Sequence, residues 1–182
     1  KYSFTRAEQD AFATASVQRA KAATETGAFA AEITPVTVKG RAGDTVIAID
    51  EGPGKVKLDK IPTLKPAFKK DGTITAASSS SINDGAAAMV LMKASTAAKL
   101  GCTPLARIVS HATHAQEPEW FATAPVGATQ KALEKAGWTV GDVDLWEVNE
   151  AFAVVPMALM KELDVPHDIV NVHGGACALG HP

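Results

Sequence analysis

Two histidines and a cysteine lie four residues apart in NVHGGACALGHP, the segment Asn171–Pro182. On a helix, His173, Cys177 and His181 would face the same way, which would suit a metal site. However, two glycines follow His173 and a proline follows His181, so a glycine-rich loop is favoured and the even spacing loses its meaning. A fourth ligand is also missing. We therefore expect no metal site in this segment.

His181 is the stronger candidate for chemistry here. Cys177 could be a nucleophile only if a base or a helix N-terminus lowered the pKa of its thiol, and its alanine and leucine neighbours favour a small buried side chain instead. Pro182 restricts His181 to an extended backbone, and Gly180 allows a ligand to approach closely. Such a histidine could donate a hydrogen bond to a substrate oxygen or take a proton from a nucleophile. The residues alone leave this role and a structural one equally open.

A parallel sheet covered by helices is predicted for the second half of the chain. From Pro104 onward, the pattern runs strand, helix, strand, helix, strand. The second helix spans Asn149–Leu163, and we expect Pro156 to kink it. In such sheets the chemistry lies where strands end, which is where NEAF follows DLWEV and HGGACALGHP follows DIVNV.

Asn149 lies at the first of these strand ends. Its side-chain amide could donate a hydrogen bond to an oxyanion that develops on a substrate. The alternative is that Asn149 only caps the following helix, and its position alone favours this structural role. His111 and His114 form a weaker candidate pair, because they have no partner pattern and are typical of surface residues.

The first half of the chain begins with a helix and a hairpin. Thr5 and Glu8 have the spacing of a capping box, and Gly27 is suited to end a helix, so we predict a helix over Thr5–Thr26. Alternating β-branched residues interrupted by glycines predict a hairpin within Glu32–Asp50.

An irregular loop and an alanine-rich helix are predicted next. Glu51–Pro66 contains three prolines and four lysines, which indicates an irregular exposed loop. After a short extended piece and a run of serines, an alanine-rich helix should begin at a cap formed by Asn83 or Asp84. Gly101 is suited to end it.

Composition excludes several classes of function. The 182 residues are 46% hydrophobic and 21% charged with a formal net charge of -2, which indicates a globular protein and argues against electrostatic binding to nucleic acid. No apolar run approaches the roughly 20 residues of a membrane helix. Two cysteines fit a reducing compartment, and Cys102, directly after Gly101, is expected to be structural. No Met begins the chain, so we expect both ends to be cuts in a longer protein.

Four stretches together resemble the thiolase family, in order along essentially the whole chain. They are AEQDAFA (residues 7–13), SINDGAAAMVLM (81–92), LEKAGWTVGDVDLWEVNEAFA (133–153) and GGACALGHP (174–182). The resemblance implies an α/β chain that forms part of a thiolase fold, a mixed and largely parallel sheet covered by helices, plus part of the α+β CoA-binding loop domain. It places residues 1–82 in the rear part of that loop domain, 83–104 in a helix of the N-terminal half, and 105–182 in the first part of the C-terminal half.

The resemblance also implies a reaction and two catalytic residues. Thiolases join two acetyl-CoA into acetoacetyl-CoA and CoA, or reverse this Claisen condensation, through an acyl-cysteine intermediate. Neither Cys102 nor Cys177 matches the family's two catalytic cysteines, so residues 1–182 alone are expected to be inactive. His181 matches the histidine that activates the nucleophilic cysteine and helps to hold the enolate oxygen. Asn149 matches the asparagine that positions a water in an oxyanion hole.

Several residues match positions that contact coenzyme A in the family. Ser80 matches a serine that bonds the pantetheine arm, and Ala76 matches a neighbour that lines the tunnel. Phe68, Phe121 and Phe152 match positions that pack around the pantetheine and the acyl end. The alternative for the three phenylalanines is ordinary core packing.

Three positions depart from the family pattern. The usual arginine of the phosphate-binding loop is Gly54, and the neighbouring Lys55 could replace it as a point charge. The common Gly-Asn before the serine is Ala77–Ser78. A frequent Met near the acyl pocket is Phe121, which should narrow the pocket toward short acyl groups.

The resemblance implies a CoA thioester as substrate, with no covalently bound cofactor and no metal. Expected partners are acetyl-CoA or acetoacetyl-CoA, the rest of a thiolase chain, and further copies in a homo-oligomer, a tetramer; neither nucleic acid nor a membrane is expected. The bacterial cytoplasm is favoured over the mitochondrial matrix. Alternatives are a longer-chain degradative 3-ketoacyl-CoA thiolase, a related ketoacyl synthase, which NEAFA argues against, and a non-catalytic CoA-binding or subunit-interface module.

Overall fold

Helix α1, Arg6–Thr26, begins and ends as predicted in a computed structural model that describes all of residues 1–182. The Thr5 hydroxyl accepts a hydrogen bond from the backbone N–H of Glu8 at 3.2 Å, and the Glu8 carboxylate accepts from the backbone N–H of Thr5 at 2.7 Å. Gly27 ends the helix with a φ of 70°. The capping box is therefore confirmed. One face of α1, with Phe12 and Val17, is buried.

The other elements are shorter than α1. The hairpin is confirmed as an antiparallel pair in which Val36 is opposite Ile47. In chain order the elements are β1 Val36–Val38, β2 Thr45–Ile47, α2 Glu51–Lys55, a 3-10 helix Leu58–Thr63, α3 Ala94–Leu100, a 3-10 helix Pro118–Thr123, α4 Ala124–Ala136, a 3-10 helix Val140–Asp142, α5 Val154–Leu163, a 3-10 helix His167–Ile169 and α6 Ala176–Leu179. No helix combines the length and the apolarity needed to cross a membrane.

The prediction of an irregular loop over Glu51–Pro66 is wrong, although most of the segment is exposed as expected. This segment contains α2 and a 3-10 helix, and its Ile61 side chain is 1% exposed. The guanidinium of Arg6 donates to the carbonyl oxygens of Ile61 at 3.1 Å and Leu64 at 2.9 Å. These bonds hold the segment against α1, and Pro53 and Pro62 lie inside its helical turns.

The alanine-rich helix is much shorter than predicted. It covers only Ala94–Leu100, and Lys93 is its N-cap. Asn83 does not cap a helix, because its side-chain amide donates instead to the carbonyl oxygen of Leu179 at 3.1 Å. Asp84 lies well before the helix as well. The predicted end at Gly101 is confirmed, with a φ of 65°.

Only one parallel pairing joins two residues of the second half, and a second parallel bridge joins His181 to Ile82. The Trp146 N–H donates to the carbonyl oxygen of Ile169 at 2.9 Å, and its carbonyl oxygen accepts from the Asn171 N–H at 2.8 Å. Trp146 and Val170 belong to a core cluster with Val126, Val148, Leu159 and Val165. The predicted strand after Pro104 has no paired neighbour, and the Leu105 side chain is fully exposed.

Pro156 does not kink its helix, contrary to the prediction. Helix α5 begins at Val154, so Pro156 is in its first turn. A backbone N–H in the first turn has no acceptor inside the helix, so a proline there removes no hydrogen bond. The helices, the antiparallel hairpin and the parallel pairing at Trp146 together fit the α/β fold class.

Candidate active site

The serine segment, residues 78–83, lies beside the chain that follows Asn149. The Ser80 N–H donates to the carbonyl oxygen of Ala151 at 3.1 Å, and the Ala153 N–H donates to the carbonyl oxygen of Ser78 at 2.9 Å. The segment therefore pairs antiparallel with residues 151–153. This pairing brings Ser80 to the strand end that carries Asn149.

The other end of the serine segment pairs with the loop that carries His181. The His181 N–H donates to the carbonyl oxygen of Ser81 at 2.9 Å. Gly180 precedes it with a φ of 84°, and a Cβ at this position would lie 2.4 Å from Cγ of Asn83. Only glycine fits so close to the segment. One short stretch of chain thus joins the segments of Ser80, Asn149 and His181.

Asn149 presents a free amide at the surface. Its side chain is exposed and makes no hydrogen bond, while Val148 and Glu150 on either side are buried. The N-cap of α5 is Ala153, so the interpretation of Asn149 as a helix cap is wrong. An unpaired amide that no structural role occupies can donate to a bound water or an oxyanion.

The His181 imidazole is also exposed, and one of its nitrogens is engaged. Nδ1 lies 2.7 Å from the carbonyl oxygen of Pro182. A neutral imidazole carries its proton on one nitrogen and a free lone pair on the other. The nitrogen with the lone pair can take a proton from a thiol and later donate it.

Three phenylalanines meet beside this junction. The Phe152 ring centroid lies 6.0 Å from that of Phe68 and 6.2 Å from that of Phe121, both in edge-on geometry. Within residues 1–182, Phe68 is 69% exposed and Phe121 is 54% exposed. Exposed aromatic groups that converge offer an apolar wall to a ligand.

Two further residues that were predicted to contact coenzyme A, Ala76 and Ser80, lie in or next to the serine segment. Ala76 is exposed, and Ser80 is half-buried with its hydroxyl donating to the carbonyl oxygen of Ser81 at 3.3 Å. Ser78 is buried, and its hydroxyl accepts from the Thr75 N–H at 2.9 Å. Ser78 therefore closes the turn that presents Ala76.

Lys55 lies on α2, which packs against α6. A Cβ at Gly52 would lie 2.8 Å from the carbonyl oxygen of Ala178, which shows how closely the two helices approach. The Lys55 ammonium is exposed and forms an ion pair with Glu51. The same contact lowers the pKa of the Glu51 carboxyl. Lys55 is thus a cation at the surface near the loop that carries His181, with an acidic neighbour.

The two cysteines differ in environment. Cys177 is buried against Phe12, Ala153 and Met157. Burial raises the pKa of its thiol far above the usual range, and the nearby Glu150 carboxylate raises it further. Cys102 is exposed after Gly101. The interpretation of Cys177 as a packing residue agrees with this environment, which opposes a thiolate.

The even spacing of His173, Cys177 and His181 does not gather these side chains. His173 contacts the Phe29 ring edge-on at 5.5 Å, whereas Cys177 faces the core and His181 the surface. No three side chains of the metal-binding types lie together anywhere in the chain. His114, the second histidine of the HATH pair, contacts Lys131 on helix α4 and Gln116, which precedes that helix in the sequence.

A buried polar cluster escaped the sequence analysis. Ser16, Glu150 and Asn171 are each no more than 1% exposed and are hydrogen-bonded to one another through Glu150. The signal was present in the period-two pattern of WEVNE, which places Trp146, Val148 and Glu150 on one face. A carboxylate on the buried face of a strand end requires donors, and those donors come from distant parts of the sequence.

Comparisons with known proteins match the two halves of the chain to two domain families. Residues 1–95 match the family model described as thiolase, N-terminal domain, and residues 102–182 match thiolase, C-terminal domain. An acetyl-CoA acetyltransferase of Paracoccus denitrificans is 50% identical over 183 aligned positions, which cover 100% of this chain and 47% of that protein. The chain thus spans about half the length of the curated relatives it matches.

Solved structures agree with this match. The acetyl-CoA acetyltransferase of Bacillus anthracis superimposes with a TM-score of 0.96 at 43% identity, and the match covers 100% of this chain and 46% of that one. A thiolase of Ascaris suum in complex with coenzyme A gives a TM-score of 0.91 at 42% identity, with the same coverage.

Proposed function

The chain belongs to the thiolase family, and from this premise we propose that the whole protein is an acetyl-CoA C-acetyltransferase. It would transfer an acetyl group between two acetyl-CoA molecules to form acetoacetyl-CoA and CoA, and it would catalyse the reverse thiolysis. The relatives that carry this name match the chain over its entire length. A CoA thioester is the proposed substrate, with no covalently bound cofactor.

The observation that carries the proposal is the junction at the serine segment. Backbone hydrogen bonds join this segment to residues 151–153 on one side and to His181 on the other. A free amide at Asn149 and an imidazole at His181 therefore border one surface, next to the three converging phenylalanines. Donors for an oxyanion beside an apolar wall suit a thioester, whose carbonyl must become an oxyanion during acyl transfer.

His181 is proposed to move the protons of this reaction. Its Nε2 would take the proton of a cysteine thiol, and the resulting thiolate would attack the thioester carbonyl and release CoA as a thiol. That cysteine is proposed to come from outside residues 1–182, because Cys177 is buried with a raised thiol pKa and Cys102 has no hydrogen bond to a histidine. The chain alone is therefore expected to be inactive.

Asn149 is proposed to act in the condensation step. The methyl carbon of the second acetyl-CoA would lose a proton to the thiolate of the family's second catalytic cysteine, which is proposed to lie outside residues 1–182. The enolate that forms is costly unless donors already face its oxygen. The free Asn149 amide, through a water that it holds, and His181 would supply those donors. The enolate carbon then attacks the acyl-cysteine carbonyl, and the cysteine thiolate leaves.

The CoA arm is proposed to run over the serine segment. Ser80 would bond the pantetheine, Ala76 would line its path, and Phe68, Phe121 and Phe152 would pack against the pantetheine and the acyl end. Lys55 would face the nucleotide phosphates as a point charge, although Glu51 competes for it. The large Phe121 ring would favour short acyl groups over long ones.

The proposed function is tested on the full-length protein with a series of 3-ketoacyl-CoA substrates. We expect thiolysis of acetoacetyl-CoA, a strong preference for the four-carbon substrate, and no turnover by residues 1–182 alone. Loss of that preference would favour a longer-chain degradative thiolase. Binding of CoA without any turnover by the full-length protein would favour a non-catalytic module.

The organisation of the whole protein is proposed on the same basis. Residues 1–82 would belong to the rear part of the CoA-binding loop domain, 83–104 to the N-terminal half and 105–182 to the C-terminal half. We further propose a homotetramer that works in the bacterial cytoplasm, given the bacterial relatives. Light scattering of the purified full-length protein tests the tetramer.

A further inference from the structure

Glu150, the residue after Asn149, is a fully buried carboxylate with three donors. Its Oε2 accepts from the Ser16 hydroxyl at 2.7 Å and from the Cys177 N–H at 3.0 Å, and its Oε1 accepts from the Asn171 side-chain amide at 2.8 Å. No cationic side chain forms an ion pair with it. A buried carboxylate without a cation is costly unless its oxygens are hydrogen-bonded, so these three donors fix its position.

Each donor belongs to a different part of the fold. Ser16 lies on α1, Cys177 on α6, and Asn171 follows the 3-10 helix 167–169. The Asn171 side chain also pairs with the backbone of Val148, as a neighbouring strand would. Its Oδ1 accepts from the Val148 N–H at 2.7 Å, and its Nδ2 donates to the Val148 carbonyl oxygen at 2.8 Å. Glu150 is therefore the point at which these three elements meet.

The glycine pair of HGGACALGHP packs directly on this cluster. The Gly175 N–H donates to the Ser16 hydroxyl at 3.0 Å. A Cβ at Gly175 would lie 2.5 Å from Cδ of Glu150, and one at Gly174 would lie 2.4 Å from the carbonyl oxygen of Ser16. These separations leave no room for a side chain. The loop that leads to His181 is thus seated on the Glu150 carboxylate.

We infer that Glu150 is a positioning residue that sets the separation between the Asn149 amide and the His181 imidazole; this inference rests on the proposed function. Asn149 is its covalent neighbour and faces outward because Glu150 faces inward. Through the Cys177 N–H, Glu150 also holds α6, and His181 follows two residues after the end of α6. A misplacement of about 1 Å between reacting groups can lower a rate by about 10²-fold.

The replacement Glu150→Gln in the full-length protein tests this inference. Glutamine has the same shape, but its NH2 group must face either the Asn171 amide or the Ser16 and Cys177 donors, so at least one donor meets another donor. We expect kcat for acetoacetyl-CoA thiolysis to fall by about 10- to 100-fold while KM is unchanged. Glu147→Gln is the matched control, because Glu147 is two residues earlier, faces outward and makes no hydrogen bond.

Crystal structures of the two full-length variants give a readout that does not depend on turnover. In Glu150→Gln we expect the distance between the Asn149 amide and the His181 imidazole to differ from that in the wild type by about 1 Å. In Glu147→Gln we expect this distance to be unchanged. Unmoved side chains, or a loss of activity in step with the folded fraction, would overturn the inference. An inactive wild-type protein would refute the proposed function, yet the displacement would still decide the role of Glu150.

A milder variant covers the case in which Glu150→Gln does not fold. Ser16→Ala removes one of the three donors to Glu150, together with the acceptor of the Gly175 N–H, and leaves the other two donors in place. We expect a smaller fall in kcat, again with KM unchanged. Equal kcat values for Ser16→Ala and the wild type would contradict a positioning role.

Discussion

The Glu150 cluster and the open segment, residues 84–93 and 104–109, contrast in polarity and burial. In the cluster, the polar side chains of Ser16, Glu150 and Asn171 are no more than 1% exposed. In the open segment, the apolar side chains of Met89 and Val90 are 80% and 84% exposed. Polarity alone therefore does not decide which groups are buried in this chain.

The difference lies in the partners available to each region. The cluster receives hydrogen bonds from three elements, and all of its donors and acceptors lie within the chain. The open segment is extended but has no neighbouring strand. A large exposed apolar surface marks a site of contact with other protein surface. Hydrogen bonds within the chain thus set the geometry at Asn149 and His181. The apolar side chains of the open segment, in contrast, need contact with other protein surface to be buried.

Loss of the His181 imidazole should have the largest effect. In the full-length protein, His181→Ala is expected to lower kcat/KM for thiolysis by about 10³- to 10⁴-fold, because one group serves as base and as oxyanion donor. His111→Ala, at an exposed histidine just beyond the open segment, is the matched control and should leave the rate unchanged. If kcat/KM fell by similar factors in the two variants, His181 would have no special role in catalysis.

Loss of the Asn149 amide should be the next largest effect. Asn149→Ala in the full-length protein is expected to lower kcat by about 10²- to 10³-fold, since one oxyanion donor is lost. Its side chain makes no hydrogen bond within residues 1–182, so we expect the melting temperature to be unchanged. A parallel fall in melting temperature and activity would show a structural role instead. Steady-state kinetics and calorimetry on the same preparation separate the two results.

The two cysteines should react at very different rates with iodoacetamide. Only the thiolate reacts, and burial together with Glu150 raises the pKa of the Cys177 thiol. At pH 8 we therefore expect alkylation of the exposed Cys102 at least about 100-fold faster than that of Cys177. Mass spectrometry of tryptic peptides measures both rates. Equal labelling would mean that the buried region opens readily.

Local signals predicted some elements well and others poorly. The capping box at Thr5 and the glycine at position 27 depend only on neighbouring residues, and both bounds of α1 followed from them. The helix expected from Asn83 failed because its amide bonds the distant Leu179. A residue whose partner is about a hundred positions away cannot be assigned from local pattern.

The candidate site shows the same limit. Asn149 and His181 became candidates because one lies at a strand end and the other in a restricted loop, and their catalytic roles were implied only by the family resemblance. Glu150 was overlooked because its donors are far apart in sequence, at Ser16, Asn171 and Cys177. The period-two burial pattern did carry its inward orientation. Only the assembled fold explains why a carboxylate is tolerated there.

Two glycines with similar backbones allow packing to be compared between the Glu150 cluster and the end of α3, which lies between the two parts of the open segment. Gly174 and Gly101 have φ values of 78° and 65°, so alanine should cost about 1–2 kcal/mol at either position from backbone strain. At Gly101 no atom lies within 4 Å of an added Cβ, whereas at Gly174 the Ser16 carbonyl oxygen lies at 2.4 Å. Overpacking should add about 1–3 kcal/mol at Gly174 alone. Urea unfolding of the full-length variants measures the difference, and equal losses would mean that the loop yields easily.

The smallest effect is expected at Val90. Val90→Thr changes a methyl group to a hydroxyl at a side chain that is 84% exposed in the 182-residue chain, so its free energy of unfolding should change by no more than about 0.5 kcal/mol. If the rest of the protein covers the open segment, the same hydroxyl is buried without a partner in the full-length protein and should cost about 1–3 kcal/mol there. Urea unfolding of both lengths gives the two values. Equal changes in the free energy of unfolding at the two lengths would show that the open segment stays exposed in the whole protein. The absence of a covering partner would then not explain why its apolar side chains are exposed.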